Sequence, residues 1–181
     1  SLDSVFADAG SLNAIIYSGP LFYWASLTGD SIDKKFLDGT GFRRKGWSNT
    51  ILDIRSIEHL KKKIIVNCEN NGYPFANVKL QNVSITSDSI KAKLILNRNQ
   101  FVKIDSIILK GNALIAPVYL YNYIGIFPGD IYSEVKMQRI SNRMKELAFI
   151  REVRPSQISF SEKGNKLYLF LENKKASQFD G

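Results

Sequence analysis

Apolar residues recur at the helical period in two stretches of the chain. Between Ser56 and Asn71 they fall at Ile57, Leu60, Ile64 and Cys68; between Ser133 and Ala148 they fall at Met137, Ile140, Met144 and Leu147. Spacings of three and four residues line up one apolar stripe on each helix. Ser56 and Ser133 stand at the N-cap positions, where a hydroxyl can accept from an early orphan N–H. A shorter helix is expected ahead of each: Trp47 to Ile54, and Pro117 to Ile124, where proline suits a first turn.

After each long helix the period changes to that of a strand pair. Asn77 to Ile85 and Ile90 to Asn97 flank a turn at Thr86-Ser87-Asp88-Ser89; Val153 to Phe160 and Lys166 to Asn173 flank Glu162-Lys163-Gly164-Asn165. Leu167, Leu169 and Leu171 alternate cleanly. Val78, Leu80, Val83 and Ile85 slip by one phase, which predicts a bulge near Gln81-Asn82. Each pair reads as a hairpin. A further strand opens each unit, about Phe22 to Leu27 and Phe101 to Leu109, the latter ending in Lys110-Gly111-Asn112. The order strand, helix, helix, strand, strand therefore occurs twice. Leu2 to Phe6 and Leu12 to Tyr17, around Asp8-Ala9-Gly10, read as the closing hairpin of a preceding unit. The expected division is 1–19 for that hairpin, 20–98 and 99–175 for two full units, and 176–181 for a linker.

Such a unit folds as an α+β domain with a three-stranded mixed sheet in the order second-third-first and two helices on one face. The first and third strands are parallel through a right-handed crossover, and the hairpin is antiparallel. Lys91 and Lys93 would then point away from the helices, between Ile90, Ala92 and Leu94. The second strand lies at a sheet edge, with one row of backbone groups unpaired. Such an edge can template an added strand. The candidate edge residues are Val78, Lys79, Leu80, Gln81 and Val83 in the first unit, and Val153, Arg154, Gln157 and Ser159 in the second. The competing reading is that Lys79, the bulge, Arg154 and Pro155 merely guard these edges against aggregation.

The tandem unit resembles POTRA domains. The resemblance is strongest in the second unit: an isoleucine-rich strand closing on Lys110-Gly111-Asn112, then Gly125, Pro128-Gly129-Asp130-Ile131-Tyr132, a helix, Phe149 with Val153, and Leu-x-Leu-x-Leu. The first unit carries Asn71-Gly72-Tyr73-Pro74-Phe75-Ala76 before its second strand. It departs from the pattern in a long loop from Thr28 to Gly46 between first strand and first helix. The resemblance is to the periplasmic part of BamA-type outer-membrane assembly factors of Gram-negative bacteria. It implies a non-enzymatic, periplasmic, protein-binding module. Its partners would be unfolded outer-membrane proteins and accessory lipoproteins, with a membrane barrel attached after Gly181. It implies no cofactor and no nucleic acid.

Composition agrees with a binding module. The 181 residues contain one cysteine and one histidine, Cys68 and His59, so an intrachain disulfide and a cysteine-rich zinc site are excluded. Gly39-Thr40-Gly41 lacks the rest of a phosphate loop. The net charge of +8 leaves an RNA-binding pair of α+β domains as the alternative. Against it, no RNP1-like string occurs, and no Gly-x-x-Gly separates the helices. The charge is also spread, +3 over residues 1–97 and +5 over 98–181, and Lys61-Lys62-Lys63 reads as a solvated helix face. Of the aromatics, Phe75 and Phe149 are expected in the cores. Tyr23 and Trp24 should face opposite sides of their strand.

Overall fold

The computed structural model describes residues 2–8, 11–16 and 19–174. The chain begins with an antiparallel hairpin, β1 (Leu2–Asp8) and β2 (Ser11–Ile16), which forms a sheet of its own. The first unit follows as β3 (Tyr23–Thr28), α1 (Lys34–Leu37), α2 (Ile54–Glu69), β4 (Asn77–Thr86) and β5 (Ser89–Asn97). The second is β6 (Ser106–Lys110), α3 (Pro117–Ile124), α4 (Glu134–Glu146), β7 (Ile150–Ser159) and β8 (Lys166–Asn173).

The two sheets have the expected topology. Their orders are β3-β5-β4 and β6-β8-β7. The outer pairs β3–β5 and β6–β8 are parallel; the hairpins β4–β5 and β7–β8 are antiparallel. In the first unit α2 buries Ile57, Leu60, Ile64 and Cys68 against Ile90, Ala92 and Leu94 of β5, while Lys91 stays exposed. In the second, Ile140 and Met144 of α4 and Leu120 and Ile124 of α3 meet Leu167, Leu169 and Leu171. The open face of that sheet is not bare. The Arg154 guanidinium lies 3.6 Å from the centre of the Phe170 ring, a cation–π contact that leaves Phe170 9% exposed.

Several local expectations need correction. No helix spans Trp47 to Ile54. A 3₁₀ turn occupies Arg44–Trp47, and the chain then runs extended beside β3, with Tyr23 bridged to Ile51. The helix starts at Ile54 because Asp53, not Ser56, is its N-cap, accepting from Arg55 N at 3.0 Å and Ser56 N at 3.1 Å. The Ser56 hydroxyl donates to the same carboxylate. These bonds hold the Asp53 carboxyl below its usual range, led by the Ser56 hydroxyl.

The first helix of that unit lies inside the stretch expected to be a loop, as the single turn α1. Phe36 of α1 is fully buried, and the side chain of Asn67 on α2 donates to the carbonyls of Phe36 and Asp38. The first strand of the second unit is also shorter than expected. Residues 102–104 form a separate strip, bridged at Lys103 to Ile131. Phe75 and Phe149 are not core residues; they are 42% and 47% exposed. Trp24 is buried and Tyr23 only half-buried, as the strand geometry requires. The expected linker 176–181 lies outside the described residues.

Gly111 marks the tightest point of the second unit. It turns with φ +109°, and a Cβ there would run into the Leu171 carbonyl. Gly111→Ala therefore combines backbone strain with a backbone clash, and should lower the free energy of unfolding by about 3 kcal/mol in a urea melt.

Candidate functional site

The edge strands β4 and β7 carry every residue singled out as a docking edge. Val78 is buried under α2 and Leu80 half-buried, while Lys79, Gln81 and Val83 are exposed; Val153, Arg154, Gln157 and Ser159 are exposed on β7. Both strands are irregular. β4 bulges between Gln81 and Ser84, where Asn82 takes φ +53°. β7 shifts register twice, between Glu152 and Arg154 and between Arg154 and Gln157. A bulge twists an edge and blunts uncontrolled pairing, while the neighbouring regular residues keep a pairing surface.

Sequence reasoning missed what lies beside each edge. A cleft of about 210 Å³ runs between α2 and β4, lined by Trp24, Leu52, Ile54, Ile57, Leu80 and Val83. A cleft of about 310 Å³ occupies the same place between α4 and β7, lined by Tyr132, Glu134, Gln138, Ser141, Ser156 and Ile158. Two apolar positions of the first become polar in the second, Ile54 as Glu134 and Leu80 as Ser156, while Glu58 and Ile57 keep their character as Gln138 and Met137. The alternation of β4 alone hinted at this through Val83 and Ile85, which are 53% and 61% exposed. The opposite edges differ. Residues 22–24 and 102–104, at the start of the first-strand segments, are paired with the strips 49–52 and 129–132.

The second feature is the junction between the units. Three contacts fix it. Asn70, just beyond α2, accepts at Oδ1 from Val135 N at 2.9 Å and from Ser133 Oγ at 3.0 Å. It thereby caps α4 from the neighbouring unit, because the Ser133 side chain makes no cap of its own. Gly72, with φ +87°, brings its backbone against Phe101, and its carbonyl accepts from Val102 N at 2.8 Å. A side chain at 72 would collide with the Phe101 ring. Finally Phe75 meets Phe160 edge-on, centroids 4.8 Å apart, which accounts for the absence of Phe75 from the core. The short link is held as well: Asn99 folds back on Asn97 and its side-chain amide binds the Phe75 carbonyl.

Charge at the junction is not neutral. Burial raises the Glu69 carboxyl above its usual range, and the nearby Glu134 carboxylate raises it further. Tyr132 is pushed up by burial and by its hydrogen bond to Glu134. Burial also pushes the Cys68 thiol up to about 11. Among the described residues, no cluster of histidine, cysteine and acidic side chains could hold a metal ion. No described helix is long and apolar enough to cross a membrane.

Residues 102–172 match the model of the POTRA family, described as the surface antigen variable number repeat. The second unit is a POTRA domain, and the first has the same strand order and pairing. No curated protein matches the chain. Among solved structures, the chain is similar to POTRA domains 3–5 of BamA from Haemophilus influenzae. The TM-score is 0.55 at 14% identity, over 97% of this chain and 71% of that one. It is also similar to BamA from Haemophilus ducreyi lacking POTRA domains 1–3, with a TM-score of 0.58 at 13% identity over 86% of this chain. The chain spans 29% of the length of that second structure.

Two outcomes follow for the junction. Asn70→Ala removes the cap of α4 and should cost about 1 kcal/mol in thermal unfolding, while residual dipolar couplings report a looser angle between the units. Glu69→Gln should stabilise the protein at pH 7, because a carboxyl with a raised folded-state pKa weakens the fold while ionised. That gain fades as pH falls through the carboxylate range, where wild-type Glu69 is itself protonated. Melting temperatures measured from pH 7 down to pH values below ~4 check both ends.

Proposed function

We propose that the chain is part of the periplasmic region of an outer-membrane β-barrel assembly factor, and that it binds extended segments of other proteins by strand addition. The observation that carries this reading is the pairing of an edge strand with an adjacent cleft in both units. The edge supplies backbone donors and acceptors for a new strand. The cleft beside it receives alternate side chains. The similarity to BamA structures supports the cellular setting. Unfolded outer-membrane proteins suit the edge chemically, because barrel strands alternate apolar and polar residues. Accessory lipoproteins are the second class of partner on this reading. The role is scaffolding, with no catalysis.

The two edges should differ in what they accept. The cleft beside β4 is mainly apolar, with Glu58 at its rim, and favours Leu, Val or Phe at every second position. The cleft beside β7 carries Glu134 and Gln138 and favours polar or basic ones. NMR titration with a synthetic peptide that alternates apolar and polar residues, as a barrel strand does, should shift amides of residues 77–86 at lower concentration than those of 150–159. Val83→Lys should weaken the first binding about tenfold, the size expected for losing one buried aliphatic contact of roughly 1.5 kcal/mol. Shifts that avoid both strands would overturn the proposal.

A further inference from the structure

The long helices of the two units are covered differently. α2 and α4 keep one register: their N-caps, Asp53 and Ser133, stand 80 positions apart, and the buried Leu60 and Ile64 answer to Ile140 and Met144 at the same offset. By that register Lys63 stands in the place of Arg143, and Val66 in the place of Glu146. In the second unit α3 occupies both positions. Arg143 donates to the Tyr123 carbonyl at 2.6 Å, and Glu146 accepts from the Tyr123 hydroxyl at 3.0 Å. In the first unit α1 has four residues where α3 has eight, and the chain beyond it leaves the helical path through Gly39 and Gly41, with φ of +71° and +80°.

What remains is a cleft of about 300 Å³ between that turn and α2, lined by Asp38, Thr40, His59, Lys62, Lys63 and Val66. Its walls are fixed. The Asn67 side chain donates to the Phe36 and Asp38 carbonyls at 3.0 and 2.8 Å, pinning the turn to the helix. Thr40 is buried and closes the turn on itself, donating to the Leu37 carbonyl and accepting from Phe42 N. Val66 supplies an apolar floor, 40% exposed, and the lysine stems add apolar surface beneath their charged heads. The three consecutive lysines are thereby sorted. Lys61 is bonded to Glu58 at 2.9 Å, whereas no ion pair engages Lys62 or Lys63 among the described residues. Asp38 is the one carboxylate of the lining, and Arg43 and Lys45 are exposed in the loop that follows.

We propose that this cleft docks an acidic peptide segment of a partner protein. One apolar or aromatic side chain seats against Val66, and flanking Asp or Glu residues meet Lys62 and Lys63. The second unit carries an occupant of this kind within its own chain, since Tyr123 sits in the equivalent place on α4. There the charges of Arg143 and Glu146 balance. In the first unit the acid is replaced by Val66, so the complement of the site is negative. A concave cleft with an apolar floor fits a side chain rather than the plane of a membrane. Its lining holds no Phe, Tyr or Trp on which a nucleic-acid base could stack. The cleft shares no lining residue with the one beside β4, so this docking stands whether or not strands add there.

The test titrates residues 1–181 with the synthetic peptide Glu-Asp-Tyr-Leu-Asp-Glu, followed by NMR and by fluorescence anisotropy of a dye at its N-terminus. The amides of residues 38–40 and 59–67 shift, and the affinity falls with added salt. Lys62→Glu with Lys63→Glu weakens binding about tenfold, as two exposed attractions become repulsions. Val66→Trp keeps every charge but fills the cleft, and weakens binding by a similar factor; a surface that is only basic would not register that change. Equal binding of the peptide Gln-Asn-Tyr-Leu-Asn-Gln, unchanged affinity in Val66→Trp, or shifts confined to residues 77–86 and 150–159 overturns the proposal. So does loss of the same amide signals on phosphatidylglycerol vesicles that the peptide cannot reverse, which would make a membrane surface the occupant.

Discussion

Two parallel strands cannot be joined by a tight turn; the chain must leave the sheet, cross it and return. In each unit that crossover is made of helices, and it fixes everything else. The helices cover one face, so the core has two layers. The crossover ends at the edge strand, and only then does a hairpin, of two linking residues in the first unit and six in the second, insert β5 or β8 into the centre. The central strand is therefore the last to be made and the best buried. The edge strand stays half unpaired as a direct result of the connectivity.

The junction uses the same economy of parts. A helix start leaves backbone N–H groups without partners. α2 satisfies its own through Asp53, whereas α4 takes its cap from Asn70 of the other unit. The stability of α4 is thus coupled to the placement of the first unit. Gly72 adds a steric condition, since only a residue without a side chain lets Phe101 close on the backbone. Glu69 and Glu134 oppose this closure through like charge, so the contact balances hydrogen bonding and aromatic packing against electrostatic repulsion.

Most of the architecture is legible in the sequence because helical stripes and strand alternation are strong periodic signals. The stripe Ile57, Leu60, Ile64, Cys68 and the alternation Leu167, Leu169, Leu171 lead to the sheet order without further information. The misreadings fall where short-range pattern competes with tertiary contact. Thr28 to Gly46 reads as a loop because α1 is a single turn, held by the reach of Asn67 to the Phe36 and Asp38 carbonyls. The helix expected over Trp47 to Ile54 does not form, because backbone pairing with residues 22–24 draws 49–52 out straight. Phe75 resembles a core residue by size alone, but its partner, Phe160, belongs to the other unit. The edge residues can be located from the pattern, while the clefts beside them cannot. A cleft depends on how far a helix stands from a strand, and that distance has no signature in a linear pattern.

The capped junction also changes how the two edges act together. If both edges take strands, as proposed, the second engagement is intramolecular in either case; a loose string would spread its effective concentration over many separations, whereas a fixed separation on one body concentrates it at one. A long unfolded chain that paired with β4 would then find β7 at a defined distance, and its retention would depend on the spacing between its strand-forming segments. Asn70, which touches neither edge, would on this view help set the length scale of what the arm retains.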